Sequence, residues 1–171
     1  MSDKVFDNQN ISQLGAVVIG RNEGERLKLC LNSLCKGIKH IVYVDSGSTD
    51  GSVELALSLD VEVVSLDLSQ PFTAARARNA GLAKLVANYS AINYVQFVDG
   101  DCEVQPGWLG NAMDFLENHP DFAAVCGRRR ERYPDASFYN LLCDIEWDTP
   151  VGEAKACGGD AVFRLSALHA V

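Results

Sequence analysis

The stretch "LGAVVIGRNEGERLKLCLNSL" (residues 14–34) sets a pattern that the rest of the chain repeats. Its first part, Leu14–Ile19, is almost continuously apolar, as expected of a strand that is covered on both faces. Four apolar residues then follow the i, i+3, i+4, i+7 spacing of one helix face: Leu27, Cys30, Leu31 and Leu34. The stretch therefore predicts a buried strand that leads into an amphipathic helix.

Four more apolar runs of strand length follow, "HIVYVD", "VEVVSLD", "INYVQFVD" and "FAAVCG", beginning at residues 40, 61, 92 and 122. Helical patterns separate most of them. Strands alternating with helices predict a three-layer α/β/α sandwich with a mainly parallel sheet. At 171 residues the chain fits one domain, which we place at residues 13–171, after a flexible N-terminal tail at residues 1–12.

The helix starts are predicted from local signals. Thr49 or Asp50 is the expected N-cap of the second helix, and Pro106 suits the first turn of the fourth. The third helix begins near Ala74, with a core face of Leu82, Leu85, Val86 and Tyr89. The fourth has a buried stripe of Leu109, Ala112, Met113 and Leu116.

The composition excludes some classes of function. With a formal charge of −8 and a pI of about 4.8, the chain is not expected to bind nucleic acid. No apolar run approaches 18 residues, so no membrane span is predicted. Six cysteines without metal-type spacing indicate free thiols in a reducing cytoplasm. The basic cluster at residues 128–132 is either a solvated strand end or an anion site.

The end of the fourth strand carries three acids, Asp99, Asp101 and Glu103, at every second position. An extended segment would point all three to one side. Carboxylates there suit Mg²⁺ or Mn²⁺, with water and phosphates as the other ligands, and Gly100 would let a diphosphate come close. The alternative is an ordinary acidic loop.

The other strand ends also carry polar side chains. "RNEGE" after the first strand is either a turn before a helix or part of a site. Asp45 could accept the imide N–H of a base or close an Asx turn. Arg76, Arg78 and Asn79 begin a helix, where cations indicate an anionic partner or a salt bridge to Asp67 or Asp45.

These segments, in this order, resemble the family 2 glycosyltransferases with the GT-A fold. The resemblance runs from about Leu14 to Ala167 and rests on "VVIGRNEGERL", "VYVDSGSTDGS", "ARARNAGL", "VDGDCEVQPGWL" and "GGDAVFRLSAL". It implies an inverting, metal-dependent transfer from a UDP- or GDP-sugar to a glycan or lipid-linked acceptor. The cation would be Mn²⁺ or Mg²⁺, and the location cytoplasmic or at the membrane periphery.

The resemblance also implies roles for single residues. The nucleotide-sugar site would comprise Arg21, Asn22, Glu23, Asp45, Arg78, Asn79, Asp99 and Gly100, with Asp45 at the base. Asp99 and Asp101 would form the metal-binding DXD motif. The acceptor side would comprise Gly158, Gly159, Asp160 and Trp147, where Trp147 either stacks on a sugar or packs. The residue before Asn22 is often aromatic in that family, and here it is Arg21, whose guanidinium plane could stack on the base.

The resemblance stops at "FRLSALHAV", whereas the family continues with an acidic pair that supplies the catalytic base. We therefore expect the nucleotide-binding part of a longer transferase, with the base unassigned and Asp160 as a candidate. The alternatives are a non-catalytic nucleotide-sugar-binding module and a D-x-D phosphatase. Such phosphatases usually place their acids after the first strand, and here they follow the fourth.

Overall fold

A computed structural model describes residues 11–154, 157 and 159–170 of the chain. The strands are Leu14–Gly20 (β1), His40–Asp45 (β2), Glu62–Ser65 (β3), Tyr94–Asp99 (β4), Ala124–Cys126 (β5) and Ala161–Arg164 (β6). The helices are Glu25–Leu34 (α1), Ser52–Ser58 (α2), Ala74–Asn88 (α3), Trp108–Asn118 (α4), Phe138–Glu146 (α5) and Leu165–Leu168 (α6). Most of the predicted tail, residues 1–10, lies outside the described residues.

The six strands form one sheet in the order β3-β2-β1-β4-β6-β5. β3, β2, β1 and β4 pair in parallel, whereas β6 runs antiparallel to both β4 and β5. The predicted mainly parallel sheet is therefore confirmed. Its register places Gly20 opposite Asp45 and Ile19 opposite Asp99, so the carboxyl ends of three neighbouring strands are level.

Helices cover both faces of the sheet, which confirms the three-layer prediction. Ala16 and Val18 of β1 point into one apolar cluster, where they pack with α1, α2 and α4. Val17 and Ile19 point into a second cluster on the opposite face, formed largely with α3. Because alternate residues of β1 enter two different cores, the strand is apolar at nearly every position.

Helix α3 lies unusually close to the sheet because small residues face it. A Cβ on Gly81 would lie 2.4 Å from Val17 Cγ1 and 2.8 Å from Val44 Cγ2. The buried residues of this helix are Ala77, Gly81 and Leu85. The predicted core face was therefore only partly right: Leu85 is buried, but Leu82, Val86 and Tyr89 are half-buried.

Two predicted helix starts were wrong by one or two residues. The N-cap of α2 is Gly51 at φ 84°, although Asp50 Oδ1 still accepts the Ser52 N–H at 3.1 Å. Helix α4 begins at Trp108 after Gly107 at φ 85°, so Pro106 precedes the helix. Its predicted stripe is buried as expected. In the part of the chain that the structure describes, no helix is long and apolar enough to span a membrane.

Candidate functional site

The carboxyl-terminal edge of the parallel strands collects most of the predicted site residues. Residues 21–23 follow β1, residues 46–48 follow β2, and residues 100–103 follow β4. Ligands of open α/β sheets bind at this edge. The level strand ends therefore place the three predicted segments side by side.

The turn after β1 is tied to the turn after β2 through Asn22. Its backbone adopts φ 56°, a left-handed conformation that asparagine tolerates better than most residues. Asn22 Oδ1 accepts the Thr49 N–H at 2.7 Å, and the Asn22 N–H donates to Ser48 Oγ at 2.9 Å. The Asn22 amide thus fixes the relative position of two strand-end turns, and its predicted contact with a nucleotide stays a prediction.

Glu23 lies under the acidic end of β4. Its side chain is 17% exposed and forms an ion pair with Arg26 at 2.7 Å. Burial raises the pKa of Glu23, Arg26 opposes that shift, and the negative charge of Asp101 adds to it. The Glu23 carboxylate therefore contributes to the negative field of this edge.

Asp45 closes its own turn, which is the Asx-turn alternative. It is only 4% exposed, and its Oδ2 accepts the N–H groups of Gly47 and Ser48, both at 2.9 Å. Its Oδ1 accepts the Tyr43 hydroxyl at 3.1 Å. A carboxylate oxygen has two lone pairs, so the Tyr43 hydroxyl fills one acceptor position on Oδ1, and the predicted base contact stays a prediction.

The three acids after β4 do not share one side, so that prediction was wrong. The Cys102 N–H donates to the Asp99 carbonyl at 3.0 Å, which makes residues 99–102 a turn rather than an extended segment. Glu103 forms an ion pair with Arg132 instead. The extended expectation failed because the strand ends at Asp99.

Asp160 lies beside Asp99 and Asp101. It precedes β6, and its Oδ1 accepts the Asp99 N–H at 3.4 Å. The Cys102 thiol lies between Asp101 Oδ1, at 3.6 Å, and Asp160 Oδ2, at 3.9 Å. Burial raises the pKa of Asp160, the charges of Asp99 and Asp101 raise it further, and Arg129 opposes them. Asp99, Asp101 and Asp160 thus form one acidic cluster.

Two arginines contact this acidic cluster. Arg78 Nη2 donates to Asp99 Oδ1 at 2.7 Å, and Arg129 Nε lies 3.5 Å from Asp160 Oδ2. The partner of Arg78 is therefore Asp99 rather than the alternatives Asp67 and Asp45. Asn79 is exposed on α3, rotated by about 100° from Arg78, so the structure does not direct it to the cluster.

Glycines allow the close packing around the cluster. Gly100 donates its N–H to the Ile19 carbonyl at 2.8 Å, and a Cβ there would lie 3.2 Å from that oxygen. Gly100 is thus required for packing against β1, a different reason from the predicted room for a diphosphate. A Cβ on Gly159 would lie 2.5 Å from Asp99 Oδ2. Gly158 lies outside the described residues.

The donors of the cluster fit one mode of metal binding. Among residues 11–154, 157 and 159–170, no three His, Cys, Asp or Glu side chains are arranged to hold a metal ion by themselves. Mg²⁺ and Mn²⁺ often take only one or two carboxylates and complete their shell with water and substrate phosphates. Asp99 and Asp101 could hold a cation in that mode.

The basic cluster at residues 128–132 forms ion pairs, which answers the open question about it. Arg128 pairs with Asp148 at 3.0 Å, Arg129 with Asp160 at 3.5 Å, Arg130 with Asp144 at 2.8 Å, and Arg132 with Glu103. The Arg129 guanidinium also lies 5.4 Å from the centre of the Trp147 ring. This contact favours the packing role for Trp147, because Arg129 covers one face of the ring.

A cleft of about 390 Å³ opens at the same edge beside β1, β2 and β3. Its lining residues are Arg21, Ser46, Leu66, Leu68, Ser69, Gln70, Pro71, Phe72 and Arg76. The strand-end rule selects Arg21 and the segments that hold Ser46 and Phe72, at residues 45–48 and 67–72, but of these three residues only Arg21 was assigned to the nucleotide-sugar site. Their position after strand ends was a usable signal, but nothing in the sequence shows that Phe72 is exposed.

The family model described as "Glycosyl transferase family 2" matches residues 16–155. The chain belongs to this glycosyltransferase family. Glycosyltransferase AglE of Haloferax volcanii is 30% identical over 139 residues, which cover 70% of this chain and 43% of that protein. The predicted family is therefore confirmed, and membership of it argues against the phosphatase alternative.

Solved structures show the same fold for this family 2 glycosyltransferase chain. Glucosyl-3-phosphoglycerate synthase from Mycobacterium tuberculosis, in complex with UDP, is 18% identical with a TM-score of 0.60, covering 90% of this chain and 57% of that one. A mycobacterial protein matches with a TM-score of 0.64 at 18% identity, covering 99% and 61%. The chain thus spans about half the length of these relatives.

Proposed function

We propose that this chain is the donor-binding domain of an inverting glycosyltransferase. The enzyme transfers a sugar from a nucleotide-diphosphate donor to an acceptor hydroxyl, and it uses a divalent cation. The observation that carries the proposal is the acidic cluster of Asp99, Asp101 and Asp160 beside an open cleft at the carboxyl ends of the strands. Family membership supports the reaction type.

The layout of the edge suits an elongated donor. The cleft lies over β3, β2 and β1, and the acids lie over β4 and β6. Neighbouring strands are about 4.8 Å apart, so β3 and β4 are separated by roughly 14 Å. A nucleotide-diphospho-sugar lying across the strand ends would place its nucleoside in the cleft and its diphosphate near the acids.

The negative charges of the site favour a cation between these acids and a diphosphate. Asp101 is exposed, and in the described part of the chain it has no cationic partner. A bound cation there would offset the negative charge that develops on the departing diphosphate. The Mycobacterium tuberculosis synthase has been crystallised with Mn²⁺, UDP-glucose and phosphoglyceric acid, which supports a cation and a UDP-sugar here.

Asp160 is the best-placed candidate for the base that inversion requires. Its raised pKa moves it in the direction that favours proton acceptance near neutral pH. Arg129 holds one carboxylate oxygen and the Asp99 N–H donates to the other, so the group has a fixed orientation. Its role as the base is our proposal, since the resemblance implies only that Asp160 lines the acceptor side. The acceptor, the choice between UDP and GDP, and the cytoplasmic or membrane-peripheral location remain predictions from the resemblance.

Calorimetric titration of UDP and of GDP, each with and without Mn²⁺, tests the proposal. We expect binding that needs Mn²⁺ in the original chain and in Asp121→Ala, an exposed acid away from the site, and loss of binding in Asp101→Ala. If the original chain bound neither nucleotide with Mn²⁺, the site assignment would be wrong. Nucleotide binding without any sugar transfer would instead support the non-catalytic module.

A further inference from the structure

The loop between β3 and α3 exposes two large apolar side chains. Phe72 is 56% exposed and Leu68 is 69% exposed, and both line the cleft of about 390 Å³. An isolated exposed apolar side chain is common on protein surfaces. A phenyl ring and a leucine side chain border the same cleft, and we call these two residues its apolar wall; both are available to a ligand.

This loop is held in place by specific hydrogen bonds, so the exposure of Phe72 is not a consequence of a loose segment. Arg76 Nη2 donates to the Asp67 carbonyl at 2.9 Å, and Arg76 Nη1 donates to the Gln70 carbonyl at 3.3 Å. Ser69 donates its N–H and its hydroxyl to the Asp67 carboxylate at 2.9 and 2.7 Å. Both ends of the loop are therefore fixed before any ligand binds.

Thr73 and Gly47 complete the support. Thr73 caps α3 directly after Phe72, with its Oγ1 accepting the Arg76 N–H at 3.1 Å. Leu68 lies against the β2 turn, since a Cβ on Gly47 would come within 2.9 Å of Leu68 Cδ2. The apolar wall is thus preorganised, and a ligand that binds it would lose little affinity to loop ordering.

Two of the polar residues that line the cleft have side-chain groups without a partner among the described residues. Ser46 is 3% exposed, and its hydroxyl has no hydrogen-bond partner within the described residues. A buried hydroxyl without a partner is costly, and a polar ligand edge would satisfy it. Arg21 is exposed, and its guanidinium forms no ion pair with the described residues. An apolar ring, a planar cation and an unpaired hydroxyl together suit a flat aromatic ligand with a polar edge.

We propose that Phe72 stacks on the nucleobase of the donor, with Arg21 on another wall of the cleft and Ser46 at the polar edge. This inference rests on the proposed function, because it assigns the nucleoside end of the same donor. The chain then supplies its stacking ring from the β3–α3 loop rather than from position 21. Every base has a π-face, so Phe72 contributes affinity for uracil and guanine alike.

Titrations on four forms of the chain test the assignment: the original, Phe72→Ala, Phe72→Tyr and Leu57→Ala, the last being an exposed apolar residue on α2. UDP, GDP and inorganic pyrophosphate, each with Mn²⁺, are the ligands. Because Phe72→Ala removes the ring on which the base would stack, we expect this variant to bind UDP and GDP roughly 5- to 100-fold more weakly. Phe72→Tyr and Leu57→Ala should match the original chain, and pyrophosphate should bind all four forms equally.

The outcomes separate this inference from the function it rests on. If Phe72→Ala bound UDP and GDP as the original chain does, the stacking role would be refuted while the donor site stood. A parallel loss of pyrophosphate binding in Phe72→Ala would also refute it, because a stacking residue does not act on the diphosphate. If the original chain bound neither pyrophosphate nor a nucleotide, the proposed function itself would fail.

Discussion

Replacing Gly159 by alanine tests the packing of the acidic cluster. The new Cβ would lie 2.5 Å from Asp99 Oδ2 and 2.6 Å from Arg78 Nη2. The first distance is about 0.9 Å shorter than the 3.4 Å at which ordinary van der Waals contact begins. The methyl group therefore cannot be accommodated unless the Arg78–Asp99 ion pair separates or the backbone shifts.

The magnitude follows from what must move. An added methyl group in a well-packed site costs about 1–3 kcal/mol, and a hydrogen bond to a charged group is worth a similar amount. Because the two side-chain ends can yield, we expect a loss of about 1–3 kcal/mol in the free energy of unfolding rather than the sum of both effects. For a domain of this size, the melting temperature would fall by roughly 2–12 °C.

Thermal unfolding followed by circular dichroism measures the effect, with Gly37→Ala as the matched control. A Cβ on Gly37 would lie 3.4 Å from Leu109 Cδ1, an ordinary contact, so this variant should stay within about 1 kcal/mol of the original chain. Equal melting temperatures for Gly159→Ala and Gly37→Ala would show that Gly159 does not lie against the ion pair. Titration with Mn²⁺ and UDP should also show weaker binding by Gly159→Ala alone.

Substitutions at three further positions have defined outcomes. Gly81→Ala should lower the urea midpoint of unfolding by the equivalent of about 1–3 kcal/mol, because the new Cβ would overlap Val17 and Val44. An unchanged midpoint would contradict the close contact of α3 with the sheet. Asn22→Ala should be less stable than Asn22→Gly by about 1–2 kcal/mol in the same assay. Both variants lose the hydrogen bond between the Asn22 side chain and the Thr49 N–H, but only alanine is strained at φ 56°. Equal stabilities would count against that backbone conformation. Asp160→Asn should change how the free energy of unfolding depends on pH. Between the ordinary aspartate pKa of about 3.9 and the raised pKa of Asp160, the folded original chain binds more protons than the unfolded chain, so its stability falls as the pH rises. The variant cannot bind that proton and should lack the fall. Parallel stability curves between pH 4 and 7 would refute the raised pKa.

The order of strands and helices could be predicted because burial leaves a direct signature in the sequence. A strand that enters two cores, such as β1, must be apolar throughout. Helix α4 has a complete apolar stripe, and all four predicted residues are buried. Helix α3 was harder, since its contact with the sheet uses Ala77 and Gly81, which carry little hydrophobic signal.

The site could be predicted only as far as strand ends determine it. Asp45 and Asp99 are placed at the edge by the parallel register, which the sequence pattern implies. The partners of these acids depend on distant residues, such as Asp160, which is 61 positions from Asp99. The turn at residues 99–102 also removed the basis for expecting Glu103 beside Asp99 and Asp101, because a local hydrogen bond replaced the extended backbone.

Pairing with arginines distinguishes the acids at this edge, which are the three of the acidic cluster and the neighbouring Glu103. Asp99 has Arg78, Asp160 has Arg129, and Glu103 has Arg132. Among the described residues, Asp101 is the acid of this group that has no arginine partner. A divalent cation that approaches the edge would meet one uncompensated carboxylate, and it would have to compete with Arg78 for Asp99. We therefore expect Asp101→Asn to weaken Mn²⁺ binding more than Asp99→Asn does, in titrations without nucleotide, and the reverse order would place the main metal ligand at Asp99.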